Sequence, residues 1–93
     1  MLIIKKYNRE RAVDYALNFA LKRDNKYHDY TNEGGNCTNY VSQCLYAGTM
    51  VMNFDYNGWY YISPTKTSVS WANVEPLYNF LINNKGEGIY GIN

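Results

Sequence analysis

The stretch GGNCTNYVSQCLYAG, residues 34–48, places a cysteine directly after a glycine pair and an asparagine. It predicts a short helix that begins near Cys37 and ends near Ala47, with Gly48 in the left-handed position that often follows a helix. The spacing of the larger side chains predicts that Tyr40, Val41, Cys44 and Leu45 share one face of the helix. The stretch therefore places a thiol at the entrance of an amphipathic helix.

A helix N-terminus carries unsatisfied N–H groups and a partial positive charge, which favour a thiolate over a thiol. The same N–H groups can donate to the oxyanion of a tetrahedral intermediate. Cys37 is thus a candidate nucleophile, and Gly34 and Gly35 would let a substrate backbone come close. The alternative for Cys37 is a small buried apolar side chain, which is the interpretation kept for Cys44.

Length and charge exclude several classes of protein. A chain of 93 residues is one domain at most, and its net charge of +1 is spread along the sequence. No nucleic-acid or membrane partner is predicted, because the cations form no patch and no window approaches the roughly 18 apolar residues of a membrane span. The opening MLIIKKYNRE lacks the apolar run of a secretory signal. The sequence does not predict the cellular compartment of the protein.

The cysteines and the single histidine predict neither a disulfide nor a metal site. On one helix, Cys37 and Cys44 would have Cα atoms about 10 Å apart, beyond the roughly 7 Å that a disulfide allows. Two cysteines without a CxxC motif, together with one histidine, make a poor zinc set. No metal and no cofactor are expected.

Two further helices are predicted. The first begins after Asn8 as N-cap and runs to about Arg23. It carries one apolar stripe of Ala12, Val13, Ala16, Leu17, Ala20 and Leu21. The other starts at Val74, capped by Asn73, with Pro76 in its first turn, where the missing N–H costs nothing. Its inner face consists of Leu77, Phe80, Leu81 and Asn84, and Lys85-Gly86 closes it.

Between the helices the sequence predicts irregular segments. Residues 24–36, DNKYHDYTNEGGN, are rich in turn-forming residues and predict a loop. Residues 51–63 alternate large side chains around Asn57-Gly58, a dipeptide favoured in tight turns, and predict a hairpin or extended arm.

The segment GGNCTNYVSQCLYAG resembles the signature of the bacterial Putative amidase domain family, related to the NlpC/P60 and CHAP peptidases. The likeness extends over Tyr7–Asn84, including GWYY and SWANVEPLYNFLINN. It implies an α+β, papain-like fold and hydrolysis of an amide bond in a peptide or peptidoglycan-like substrate. It matches Cys37 to the nucleophile, Asn36 to a position where relatives often have Asp, and Gly35, Asn36 and Thr38 to substrate or oxyanion support. Whether Asn39 and Gln43 are catalytic or hold the loop stays open, with the structural role favoured.

The chain departs from the family in its general base. In the family a histidine and the main strands follow the third helix, whereas here the chain ends about nine residues beyond it and His28 is the only histidine. We therefore expect residues 1–93 to be a single partial domain, weak or inactive alone. An exposed loop position is favoured for His28 over a catalytic one.

Missing strands would leave apolar side chains exposed to water, among them Val41, Leu77 and Phe80. We expect such a surface to lead to self-association, to binding of a complementing chain or to a partly ordered state. Two other functions compete with the hydrolase: a non-catalytic binding module of the same fold, and a small structural protein with a buried Cys37.

Overall fold

The computed structural model describes residues 6–90. Its elements, in chain order, are α1 (Arg9–Phe19), α2 (Cys37–Thr49), β1 (Tyr61–Ser63), β2 (Lys66–Thr67), a single 3₁₀ turn (Val69–Trp71) and α3 (Val74–Asn83). The chain is thus α+β, as predicted, with three helices and one small antiparallel sheet. None of the helices within residues 6–90 is long and apolar enough to cross a membrane.

The strands form where the sequence offers tight turns. β1 and β2 pair antiparallel, with Tyr61 opposite Thr67, around a turn at residues 64–65. The hairpin predicted at Asn57-Gly58 is present as one β-bridge, in which Asn53 and Trp59 exchange two N–H to carbonyl bonds of 2.8 Å. Gly58 is required there, since a Cβ would clash with the backbone carbonyl of Asn53, whose carbon would lie 2.9 Å away.

The core is a stack of aromatic rings. Trp59 and Trp71 are fully buried, with ring centroids 5.0 Å apart, and Trp59 also stacks on Phe80 at 6.2 Å. Tyr61 and Leu77 complete the buried cluster. The prediction that Leu77 and Phe80 would be partly exposed to solvent is wrong, because both are buried in one cluster with the two tryptophans. The start of α3 at Val74 and the inward position of Leu77 and Phe80 are confirmed. The predicted cap is wrong, because Asn73 makes no side-chain capping bond, and Asn84 lies just beyond the helix as its C-cap.

Helix α1 begins after Asn8, as predicted, but ends at Phe19 and not near Arg23. Of its predicted apolar stripe only Ala12 is buried, while Leu17 is 75% exposed and Leu21 fully exposed. The helix packs on α2, and the Tyr40 hydroxyl donates to the Ala16 carbonyl at 2.6 Å. A polar contact, and not the stripe, thus joins the two helices at this point.

Helix α2 starts at Cys37, as predicted, and runs through Gly48 to Thr49. Gly48 lies inside the helix and Tyr7 packs on it, so a Cβ would meet the Tyr7 ring at 2.7 Å. Met50 takes the left-handed cap, with φ of 55° and its N–H donating to the Tyr46 carbonyl. The buried residues of α2 are Thr38, Asn39, Ser42, Gln43 and Gly48. The predicted apolar face is confirmed only in part: Val41 is 45% exposed, while Tyr40, Cys44 and Leu45 are half-buried and Leu45 packs against the core.

Candidate active site

Cys37 is the first residue of α2, and its side chain is exposed and free. The backbone turns into this position at Gly34 and Gly35, whose φ values of 102° and 95° lie in the region that favours glycine. The Tyr30 carbonyl accepts the N–H groups of Glu33 and Gly35, at 2.9 and 2.8 Å, and closes the turn. The glycine pair thus sets the direction from which the chain enters the helix.

Asn36 fixes the loop in front of the cysteine. Its Oδ1 accepts from Tyr30 N at 2.7 Å and from Asn39 Nδ2 at 3.2 Å, and its Nδ2 donates to Asp29 Oδ1 at 2.7 Å and Thr31 Oγ1 at 3.1 Å. Both ends of the side-chain amide are therefore engaged within the loop. Asn36 holds the N-cap position of α2, but its side chain makes no capping bond.

Asp29 is the acceptor around which this loop folds. Bonds from the Thr31 hydroxyl at 2.5 Å and from Asn36 lower the pKa of the Asp29 carboxyl to about 2. Arg23 Nε lies 3.7 Å from the other carboxylate oxygen and adds a smaller attraction. An ionised Asp29 thus ties the loop together just ahead of Asn36 and Cys37.

Because the first turn of α2 has no cap, backbone N–H donors are left without acceptors near Cys37. The first bond of α2 runs from Tyr40 N to the Asn36 carbonyl at 2.8 Å. Within residues 6–90, no acceptor is bonded to the backbone N–H groups of Cys37, Thr38 or Asn39. Such groups are the donors that an oxyanion hole uses. Thr38 itself is buried, and Gly35 is half-buried.

Asn39 joins the entrance of α2 to the core. Its Oδ1 accepts from the Trp71 indole at 3.0 Å, and its Nδ2 donates to the His28 carbonyl and to Asn36 Oδ1, both at 3.2 Å. One turn on, Ser42 Oγ accepts from the Trp59 indole at 3.0 Å. Two buried indole N–H groups thereby position α2.

Gln43 is anchored from the other side of α2. Its Oε1 lies 2.6 Å from the Tyr15 hydroxyl, which in turn lies 2.8 Å from a carboxylate oxygen of buried Asp24. Burial and the bond to Asp24 raise the pKa of Tyr15, so its hydroxyl stays protonated. Like the side chain of Asn39, that of Gln43 is hydrogen-bonded within the fold.

His28 lies in the loop before α2 and is partly exposed. Its Nε2 contacts Glu33 Oε2, and the ring meets Tyr30 edge-on at 4.8 Å. Its backbone N–H donates to the Tyr61 hydroxyl at 2.7 Å. The ring therefore pairs with Glu33, and within residues 6–90 it makes no hydrogen bond to Cys37.

Cys44 differs from Cys37 in burial. It is free and half-buried, and desolvation raises the pKa of its thiol. The two cysteines therefore provide an internal comparison of reactivity.

Sequence reasoning missed Ser42, Trp59, Trp71 and Asp29 as residues that build this site. A signal was available for the first three: a buried indole N–H needs an acceptor, and Asn39 and Ser42 lie one helical turn apart. Nothing in the sequence pattern singles out Asp29, because its partners lie in an irregular loop. Residues 6–90 hold no cluster of three or more side chains suited to a metal ion.

Comparison with known proteins gives one family. The model of the family described as "Putative amidase domain" matches residues 6–92. The uncharacterized protein YhbB of Bacillus subtilis strain 168 is 37% identical over 82 residues, which are 85% of this chain and 25% of that protein. The chain thus spans about a quarter of the length of this relative. No solved structure matches the chain.

Proposed function

Because the chain belongs to the Putative amidase domain family, we propose that it carries the nucleophile of a cysteine amidase, and that this nucleophile is Cys37. One observation supports the proposal above others: the exposed thiol of Cys37 sits beside three backbone N–H groups that have no acceptor within residues 6–90. Nucleophile and oxyanion donors are both needed for acyl transfer.

In the proposed reaction the Cys37 sulfur bonds to the carbonyl carbon of the amide, and the π electron pair moves to the oxygen. The N–H groups of Cys37 and Thr38 stabilise that oxyanion. Collapse re-forms the carbonyl and breaks the C–N bond, and the leaving amine takes up a proton. Water then hydrolyses the thioester, which releases the carboxylate and the thiol.

A general base is required to activate the thiol and to protonate the amine. Since His28 is the only histidine of the 93 residues and its ring pairs with Glu33, we assign the base to residues outside this sequence. The match to about a quarter of YhbB leaves room for them. A papain-like base, as in the NlpC/P60 and CHAP peptidases, and a cell-wall peptide as substrate follow from the resemblance of the signature. Without a base, we expect the 93 residues to hydrolyse amides only weakly.

A non-catalytic binding module is the second candidate, and the engagement of His28 with Glu33 favours it. The two functions differ in how Cys37 should react with an activated ester. Such an ester needs no protonation of its leaving group, so it tests the nucleophile and its oxyanion donors without the base.

The test is acylation of the purified chain by p-nitrophenyl acetate, with mass spectrometry to locate the acetyl group. We expect one equivalent on Cys37, at least about tenfold faster than on N-acetylcysteine, because each oxyanion donor can contribute far more than this. Cys44 should react more slowly, because it is half-buried and its pKa is raised.

The matched controls are Cys37→Ala and Cys44→Ala. The first should abolish the fast acylation, and the second should leave it unchanged. Acylation of Cys37 no faster than that of N-acetylcysteine would favour the binding module. Stimulation of amide hydrolysis by added imidazole would support a base outside the sequence.

A further inference from the structure

An open cleft of about 770 Å³ lies between α3 and the turn of residues 53–58. All of its lining residues fall between Asn53 and Gly86, so neither α2 nor the loop of residues 28–36 contributes to it. The function proposed for Cys37 does not use this cleft. We call it the α3 cleft.

The floor of the α3 cleft is held by two asparagines. Buried Asn53 accepts the Asp55 N–H at 2.8 Å and donates to the Glu87 carbonyl at 3.0 Å. Asn84 donates to the carbonyls of Glu87 and Ile89, both at 2.9 Å, and accepts Gly86 N–H at 2.9 Å. The backbone on both sides of the cleft is therefore fixed before any ligand binds.

The rim of the α3 cleft, in contrast, carries polar groups without partners. Within residues 6–90, the side chains of Asn57 and Asn79 and the carboxylate of Asp55 make no hydrogen bond or ion pair. Asn83 uses its Nδ2 for the Asn79 carbonyl at 2.8 Å, which leaves Oδ1 available. Each free carboxamide offers two donors and an acceptor in one plane.

Tyr56 adds an aromatic surface to this rim. Its side chain is 99% exposed, and the residue lines the cleft. A pyranose ring presents C–H groups on its faces and hydroxyls around its edge. The aromatic face can pack on the former, and the planar amides can bond to the latter.

The charge of the α3 cleft favours a neutral ligand. Asp55 and Lys85 are its only ionised lining residues among those described, and they are of opposite sign. A phosphate or nucleic acid would require an excess of cations. We propose that the α3 cleft binds a neutral saccharide, with Tyr56 as the stacking platform and the rim amides as hydrogen-bond partners.

The test is a ¹H–¹⁵N NMR titration of the Cys37→Ser chain, in which the proposed nucleophile is absent. The probes are a β-1,4-linked N-acetylglucosamine tetramer, cellotetraose and tetraglycine. We expect saturable shifts in residues 53–58 and 79–86 with at least one saccharide. Tyr56→Ala should weaken this binding about tenfold, the loss of about 1.4 kcal/mol that an aromatic contact can contribute.

Tyr78→Ala is the matched control, because Tyr78 is a 51% exposed tyrosine on α3 that does not line the cleft. It should bind the saccharide as the parent does. The proposal is overturned if neither saccharide gives saturable shifts, if Tyr56→Ala binds as well as Tyr78→Ala, or if tetraglycine alone binds. None of these outcomes depends on the reactivity of Cys37.

Discussion

Asn8 and Asn36 hold the same position, the residue before the first turn, in α1 and α2. Asn8 Oδ1 accepts the Arg11 N–H at 3.0 Å and caps its helix. Asn36 Oδ1 accepts Tyr30 N–H instead, at 2.7 Å, and leaves the first turn of α2 without a cap. The same residue thus closes one helix entrance and keeps the other open, beside Cys37.

The two helices also differ in what they bury. Helix α1 buries Ala12 alone, and its larger apolar residues Val13 and Leu17 are 49% and 75% exposed. Helix α2 buries a polar face that includes Asn39 and Ser42. The inward face of α2 thus includes the acceptors that the two buried indole N–H groups need.

The largest effect should come from the core that α2 serves. Trp71→Ala removes a fully buried ring and leaves Asn39 Oδ1 without its donor, so we expect a loss of about 3–5 kcal/mol in the free energy of unfolding. Leu17→Ala on exposed α1 should stay within about 0.5 kcal/mol. Urea denaturation followed by circular dichroism measures both.

If Trp71→Ala does not fold, Trp71→Phe keeps most of the packing and removes only the indole N–H. It should still cost about 1–3 kcal/mol, because Asn39 Oδ1 is left buried and unpaired. If Leu17→Ala lowered the free energy of unfolding as much as Trp71→Phe, the contrast between exposed α1 and the core beside α2 would be wrong.

Two neighbouring residues on α2 test which face of this helix is buried. Ser42 is fully buried and accepts the Trp59 N–H, so Ser42→Ala should cost about 1–3 kcal/mol. Val41 is 45% exposed, so Val41→Ser should stay within about 0.5 kcal/mol. Thermal and urea unfolding of the two variants should rank them in this order. The reverse order would mean that α2 buries its apolar face.

The sequence was sufficient for the features that depend on local chemistry. Asn8 caps α1 as its residue type predicts, and Pro76 lies in the first turn of α3, which begins at Val74. The start of α2 at Cys37 is also as predicted, although Asn36 makes no capping bond. The bridge around Asn57-Gly58 follows from turn preference, although only Asn53 and Trp59 pair.

The sequence was insufficient where tertiary partners decide. Hydrophobic spacing predicts an apolar face for α2, but it does not register that Trp59 and Trp71 need acceptors on that helix. The exposed position of Cys37 follows from its place at the helix entrance. The bonds that open this entrance run from Asn36 to Asp29 and Tyr30, six or seven residues away in a loop.

The two helix entrances can be compared directly by removing each asparagine. Asn8→Ala deletes a cap and should cost about 1 kcal/mol of global stability. Asn36→Ala deletes the acceptor of Tyr30 N–H, so that amide should exchange about fivefold faster, the equivalent of one net hydrogen bond. Hydrogen exchange by NMR distinguishes the two. If the Tyr30 amide also exchanged faster in Asn8→Ala, measured at matched global stability, Asn8 and Asn36 would not have separate roles.

The smallest expected effect is the loss of stability when Asp29 is protonated at low pH. Bonds from Thr31 and Asn36 hold the pKa of exposed Asp29 at about 2, below its ordinary 3.8. A lowered pKa means that the folded loop favours the carboxylate, so its stabilisation is complete above pH 3.8 and is lost as the pH falls towards 2. Solvent screening keeps the contribution to stability small. A ¹³C titration of the Asp29 carboxyl should therefore show a midpoint near 2.

Asn36→Ala is the informative control for this titration. It removes one of the bonds to Asp29 Oδ1 but leaves that of the Thr31 hydroxyl, so the midpoint should move up part of the way towards 3.8. Asn8→Ala should leave it unchanged, because Asn8 makes its bond at the entrance of α1. A midpoint of 3.8 in the parent chain would show that neither Thr31 nor Asn36 Nδ2 holds the Asp29 carboxylate. Asn36 would then be tied to the loop only through its Oδ1, which accepts the Tyr30 N–H.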